Sequence, residues 1–227
     1  MINITKLRRS IIDRPRLLLS DRRPRLVLNS VPKSGTHLLK EYLIASGEPF
    51  LGHIDNLPRN NRFESRRQLG FITSHTLSPV NCEAKFLLWR DPVEVCLSML
   101  AYIRSRPDHR LYFTLRGLPY RQGAHLLLRG FDSQDGLAER YRNFSTWAID
   151  NRATLIDFAD LKSRPSGVMS DYFGIDISEE ELSRARDKWN PTKRRRLLSG
   201  ESELKTEISA LIKSDYRDLF DVYHQKV

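Results

Sequence analysis

The sequence predicts an α/β protein of three layers, α/β/α, with a central, mainly parallel sheet. Apolar runs of strand length, "RLVLNSV", "GFITSH" and "AKFLLWR", alternate with stretches of helical period, the pattern that buries a sheet between two layers of helices. The first run also passes directly into a glycine-containing turn and then a helix, "RLVLNSVPKSGTHLLKEYLIASG", the opening of a right-handed parallel unit. Finally, 227 residues with 40% hydrophobic and 29% charged composition suit one sizeable core.

Residues 25–31 form the first strand. In the helix that follows, Leu38, Leu39, Tyr42 and Leu43 share one face, and Gly47 is the stop. Residues 70–75 and 84–90 are two more strands, after which Asp91 caps and Pro92 begins the helix "PVEVCLSMLAYIRS". The segment 104–136 holds Pro107, Pro119 and several glycines without a sustained period, so it reads as a surface excursion with a helical turn at "AHLLLRG". A helix "DGLAERYRNFSTWAID" then precedes a strand "ATLIDFA" and a turn plus helix in "DLKSRPSGVMSDYFGI". Ser178 with Glu181 three residues on is a capping box opening "SEEELSRARDKW". The last helix runs from Glu203 to about His224, with Leu204, Ile208, Leu211, Ile212, Tyr216, Leu219, Phe220 and Tyr223 at helical spacing.

Composition narrows the function. The formal charge is +10, and residues 1–25 contribute eight Lys and Arg against two Asp. We read 1–24 as a basic N-terminal arm before a single domain, 25–227. A second basic run is "KRRR" at 193–196. The basic stretches lack interleaved aromatics and any reader motif, which argues against nucleic acid; a protein handling a small polyanion is also basic. The arm leaves peripheral membrane contact open, but no apolar run spans a bilayer and no signal-peptide pattern opens the chain. Cys82 and Cys96 make neither a disulfide framework nor a zinc site. The reading is a cytoplasmic protein.

The chemistry concentrates in "NSVPKSGTHLL", residues 29–39. A strand entering a tight turn and a helix N-terminus aims backbone N–H groups at an anion, assisted by the helix dipole. Gly35 permits close approach, Lys33 adds a charge, and Ser34 and Thr36 add hydroxyls. The lysine precedes the glycine, unlike the nucleotide pattern G-x-x-x-x-G-K-[ST].

This loop resembles the 5′-phosphosulfate-binding loop, P-K-[ST]-G-T-[TS], of the sulfotransferases that use 3′-phosphoadenosine 5′-phosphosulfate (PAPS), a family with a P-loop nucleotide-binding type of fold. "LLWRDPVEVCLSML" supplies Arg90 and, eight positions later, Ser98, similar to the family's pair that grips the 3′-phosphate. "LIDFADLKSRPSGVMSDYFGI" resembles its "YEDL…P…FLGI" segment. The resemblance implies transfer of a sulfuryl group to a hydroxyl, or an amine, of a small-molecule, lipid or glycan acceptor, without a metal. It implies that Lys33, Ser34, Gly35, Thr36 and His37 hold the phosphosulfate, with Lys33 offsetting charge on the leaving oxygen. His75 in "ITSHTLSP" matches the family's basic histidine, while other branches use a carboxylate, which keeps Glu41, Glu48, Asp55 and Glu64, and also His53, as alternatives. Three departures stand out. His37 replaces a hydroxyl residue, Leu38 stands where many members carry an adenine-packing tryptophan, and Phe158 takes the tyrosine position of "YEDL". The C-terminal segment that closes over the 3′-phosphate is not recognisable; "NPTKRRRLLSG" is the nearest equivalent, with Arg194 or Arg195 in that role. Two rival readings are a P-loop kinase or NTPase, which the lysine–glycine order disfavours, and a non-catalytic nucleotide- or polyanion-binding protein.

Overall fold

The computed structural model describes residues 24–55, 62–63, 70–77, 82–131, 134–189 and 201–219. The arm up to residue 23, Glu64, Arg194, Arg195, the side chain of Asp55 and everything from residue 220 lie outside the described residues.

The architecture is three-layer α/β/α about a mainly parallel sheet. Its six strands are β1 (Leu26–Ser30), β2 (Phe50–Asp55), β3 (Arg62–Phe63), β4 (Phe71–His75), β5 (Ala84–Trp89) and β8 (Thr154–Asp157), in the order β3-β2-β4-β1-β5-β8. Parallel pairing puts Val27 opposite Ile72 and Leu28 opposite Phe86. β2 runs parallel to β4, and β3 is antiparallel to β2.

A parallel strand covered on both faces needs a continuous apolar run, and β1 is buried along its whole length. Its side chains alternate between two clusters. Leu26 and Leu28 join Leu38, Leu39, Tyr42, Leu43, Phe86 and Ile156, whereas Val27 packs with Leu51 and Ile72. The helix α1 (Thr36–Ala45) therefore buries the face that its spacing predicts, each large side chain contributing roughly 1.5–3 kcal/mol. β2 was not anticipated, because Gly52 interrupts its alternation and weakens its strand propensity.

The described chain divides into two compact units. The first comprises 24–30, 35–55, 62–63, 70–77, 82–88 and 147–189, and the second 31–34, 89–131, 134–146 and 201–219. In the first, α6 (Phe158–Ser163), α7 (Pro165–Phe173) and α8 (Glu179–Trp189) follow β8. The strand expected over "ATLIDFA" is cut short because Asp157 Oδ1 accepts from Ala159 N at 2.7 Å, starting α6. The capping box opens α8 as expected: Ser178 N donates to Glu181 Oε2 at 2.9 Å, and Glu181 N donates to Ser178 Oγ at 3.3 Å.

The second unit is helical, with α2 (Pro92–Arg104), α3 (Tyr112–Leu115), α4 (Tyr120–Arg129), the start of α5 (Leu137–Asp150) and α9 (Glu201–Asp215). Asp91 Oδ1 accepts from Val93 N at 2.7 Å and Glu94 N at 3.2 Å, capping α2. The expected surface excursion is instead part of this core: Leu115, Ala124 and Leu128 are fully buried. Its prolines mark boundaries, Pro119 being the N-cap of α4. Gly123 lets α4 come close to α2, since a Cβ there would lie 3.1 Å from Leu100 Cδ2. A short ribbon, β6 (Gly130–Phe131) with β7 (Gln134–Asp135), takes up Asp135, so α5 begins two residues later than its sequence suggests. α9 buries Leu204, Ile208, Leu211 and Ile212 but ends at Asp215, before Tyr216 and Leu219. No described helix is long and apolar enough to cross a membrane.

Candidate active site

In the first unit, taken by itself, lie the end of β1, the start of α1 and the end of β4. At the head of α1 stands Gly35, with φ 101° and ψ 12°. Residues with a Cβ rarely adopt that backbone, and a Cβ would also run into Cδ2 and Cε2 of Phe158. The phenylalanine at the "YEDL" tyrosine position thus packs over the loop glycine. Among the described residues no side chain caps α1 and no acidic residue occupies its first turn, unlike α2 with Asp91 and Glu94. The positive end of its dipole therefore meets no carboxylate from its own first turn. Thr36 Oγ1 and Ser30 Oγ hydrogen-bond to each other.

His75 ends β4 half-buried. Its Nδ1 lies 2.8 Å from the carbonyl oxygen of Ser30 and 3.1 Å from Ser30 Oγ. A carbonyl only accepts, so Nδ1 carries the proton and the neutral ring's lone pair is on Nε2. The ring of His53, from β2, stands edge-on to it at 5.0 Å, and His53 Nδ1 is 2.8 Å from Thr73 Oγ1.

In the second unit, taken by itself, lie the loop 31–34 and α2. Lys33 has φ 76°, a left-handed conformation for a side-chain-bearing residue and one that concentrates at functional loops. Its carbonyl accepts from Arg90 Nη1 at 3.0 Å, and its ammonium sits over the ring of Tyr102, 3.2 Å from the centroid. Ser34 is completely buried, and its Oγ has no hydrogen-bond partner among the described residues. A buried hydroxyl without a partner costs about 1–3 kcal/mol.

Arg90 is also paired with Glu94, Nη2 to Oε2 at 3.1 Å, and Glu94 Oε1 accepts from Lys205. Burial pushes the Glu94 carboxyl up, but Lys205 and Arg90 more than offset it and hold it below the usual range. The Arg90 carbonyl accepts from the Tyr141 hydroxyl at 2.7 Å, and Tyr141 stands edge-on to Trp89 at 5.0 Å. Ser98, half-buried, shares one side of α2 with Glu94 and Tyr102 through i, i+4 spacing. Sequence reasoning missed Ser30, Tyr102 and Tyr141. The 94–98–102 spacing was the available signal for Tyr102.

Glu41 pairs with Lys40 at 3.0 Å and Glu48 with Arg25 at 2.5 Å. His37 is exposed on α1. Leu38 is 1% exposed and belongs to the core, so it is unavailable for packing on a base. No group of three or more metal-ligating side chains occurs among the described residues.

No family model matches the chain, and no curated protein sequence matches it. Among solved structures it is similar to the mouse sulfotransferase SULT7A1 complexed with PAP, at 16% identity over 81% of this chain and 69% of that one, with a TM-score of 0.56. It is similar also to retinol dehydratase in complex with androsterone and the inactive cofactor PAP, at 15% identity over 87% and 74%, with a TM-score of 0.52. The chain thus has the fold of these PAP-complexed proteins.

Proposed function

We propose that the chain is a sulfotransferase that moves a sulfuryl group from PAPS to a hydroxyl, or an amine, of a small-molecule, lipid or glycan acceptor. The observation that carries this reading is the corner from Ser30 to Thr36. It combines a left-handed lysine, a buried serine hydroxyl without a partner among the described residues, and a glycine heading a helix that no described side chain caps, within a fold shared with two PAP-complexed proteins. These features fit a phosphosulfate.

PAPS, when bound, supplies the sulfuryl group and a good leaving group. Ser34, Thr36 and the first amides of α1 would hold the 5′ side, with Gly35 giving access. Lys33 would offset the charge that grows on the leaving phosphate oxygen. Arg90 and Ser98 would take the 3′-phosphate; a guanidinium has five N–H donors, so a phosphate contact is compatible with its bonds to Lys33 and Glu94. His75 would accept the acceptor's proton at Nε2, the tautomer favoured by the Ser30 carbonyl. Cytoplasmic location and action as one domain belong to the same proposal. A reducing compartment agrees with Cys82 and Cys96 outside any disulfide, Cys96 being so buried that its thiol is pushed up to about 12.

The test is transfer of labelled sulfate from PAPS to a panel of phenols, alcohols and amines, with PAP affinity measured in parallel. Lys33→Ala should slow transfer far more than it weakens PAP. His75→Ala and His75→Asn should cost about 10²–10⁴-fold in rate with PAP affinity retained. Wild-type transfer by the His75 variants, with loss in Glu41→Gln or Glu48→Gln, would move the base to a carboxylate.

A further inference from the structure

We propose that Tyr102 is the positioning residue for Lys33, its ring holding the ammonium in place for sulfuryl transfer; this rests on the role given to Lys33 above. A lysine is a flexible stem carrying a point charge, and a loop lysine without a side-chain partner samples many rotamers. Here the backbone and the head group are both restrained within one unit. Arg90 donates to the Lys33 carbonyl at 3.0 Å, and Lys33 Nζ stands 3.2 Å above the Tyr102 ring centroid, well inside cation–π range.

The ring is itself fixed. Tyr102 lies on α2, two i, i+4 steps beyond Glu94, which anchors Arg90. The His109 ring stands edge-on to it at 5.9 Å and 82°. Leu111 N donates to His109 Nδ1 at 3.2 Å, which sets the orientation of that imidazole. Burial, together with the charges of Arg110 and Lys33, pushes His109 below its ordinary value despite Asp108, so at neutral pH it packs without adding positive charge. Arg106, 5.5 Å from the Tyr102 centroid, is bound to Asp108 at 3.1 Å. Of the described cations near the ring, Lys33 stands closer than Arg106. Ser98 lies on the same side of α2, between Glu94 and Tyr102, so one helix face carries the groups that restrain Lys33 and a candidate phosphate ligand.

The experiment uses water as the acceptor, measuring single-turnover release of sulfate from PAPS, with PAP affinity by calorimetry and the Lys33 side-chain resonances by NMR. Tyr102→Leu should slow release about tenfold and leave PAP affinity within about twofold, while Tyr102→Phe, which keeps the ring, stays near wild type. The Lys33 methylene and ammonium protons should be shifted upfield by the ring current in wild type and in Tyr102→Phe, and revert in Tyr102→Leu, a readout independent of turnover. Lys33→Ala with Tyr102→Leu should be no slower than Lys33→Ala alone. The proposal is overturned if Tyr102→Leu releases sulfate at the wild-type rate, if its loss persists on the Lys33→Ala background, or if Tyr102→Phe is as slow as Tyr102→Leu. A Lys33→Ala protein that keeps full release while binding PAP would instead overturn the role of Lys33 on which the proposal rests.

Discussion

Gly35→Ala should destabilise the protein and disorganise the anion loop together, because the substitution is opposed in two ways. The backbone stands at φ 101°, and holding an L-residue with a Cβ in the left-handed region costs about 1–2 kcal/mol. The new methyl would also collide with Cδ2 and Cε2 of Phe158 and lie 3.2 Å from its Cζ. Phe158 is 5% exposed and packed in the core with Leu161 and Val168. Forcing it aside adds about 1–3 kcal/mol, the usual penalty of overpacking, for a sum of about 2–5 kcal/mol. Urea unfolding measures this as a lower midpoint at unchanged slope. The steric part can be isolated with Phe158→Ala, which by itself should cost about 3–5 kcal/mol. With the ring gone the methyl has room, so the double variant should be more stable than the sum of the singles predicts, by about 1–3 kcal/mol. PAP affinity should fall in Gly35→Ala because the first amides of α1 are displaced. A Gly35→Ala protein within about 0.5 kcal/mol of wild type, or strictly additive singles, would refute the packing of Phe158 over the loop.

Asp91→Ala removes the acceptor for Val93 N and Glu94 N and should cost about 1 kcal/mol, read by thermal or urea unfolding. Glu94 is held below its ordinary value in the folded state, so its stabilising contribution is present above the unfolded carboxylate pKa, about 4.3, and is lost as pH falls through the folded value. Glu94→Gln should therefore be less stable than wild type at pH 7, with the gap closing below about pH 4; a gap constant across that range contradicts the ion pairing with Lys205 and Arg90. Arg90→Ala and Ser98→Ala should weaken PAP and leave adenosine 5′-phosphosulfate, which lacks the 3′-phosphate, nearly unchanged; equal weakening of both in calorimetry makes Arg90 a structural tie alone.

Much of this was legible because the signals are local. The burial of Leu38, Leu39, Tyr42 and Leu43 follows from helical spacing, and the caps at Asp91 and Ser178 follow from hydroxyl and carboxylate chemistry one turn from a helix start. The turn from β1 into α1 was legible for the same reason, since Gly35 marks it in the sequence and heads the helix. What was hidden depends on partners distant in sequence. β2 is a strand because Ile54 and its neighbours pair with β4, which outweighs the glycine inside it. In 104–136, Pro107 and Pro119 interrupt any sustained period and suggest a surface excursion, yet Pro119 is the N-cap of α4, whose small residues Gly123 and Ala124 are buried. The restraint of Lys33 by Tyr102, and the tautomer of His75 set by Ser30, are contacts across turns of the fold that no single window contains.

The account is tested most directly by ligand-induced stabilisation of the purified protein with PAP, ATP plus Mg²⁺, and heparin in parallel. PAP at a hundred times its Kd should stabilise the fold by about 2.7 kcal/mol without a divalent cation and should lose that effect in Arg90→Ala, whereas ATP with Mg²⁺ and heparin should fall well short at equal saturation of their reference binders. Stabilisation by ATP with Mg²⁺ alone, or by heparin alone, with none from PAP, would contradict it.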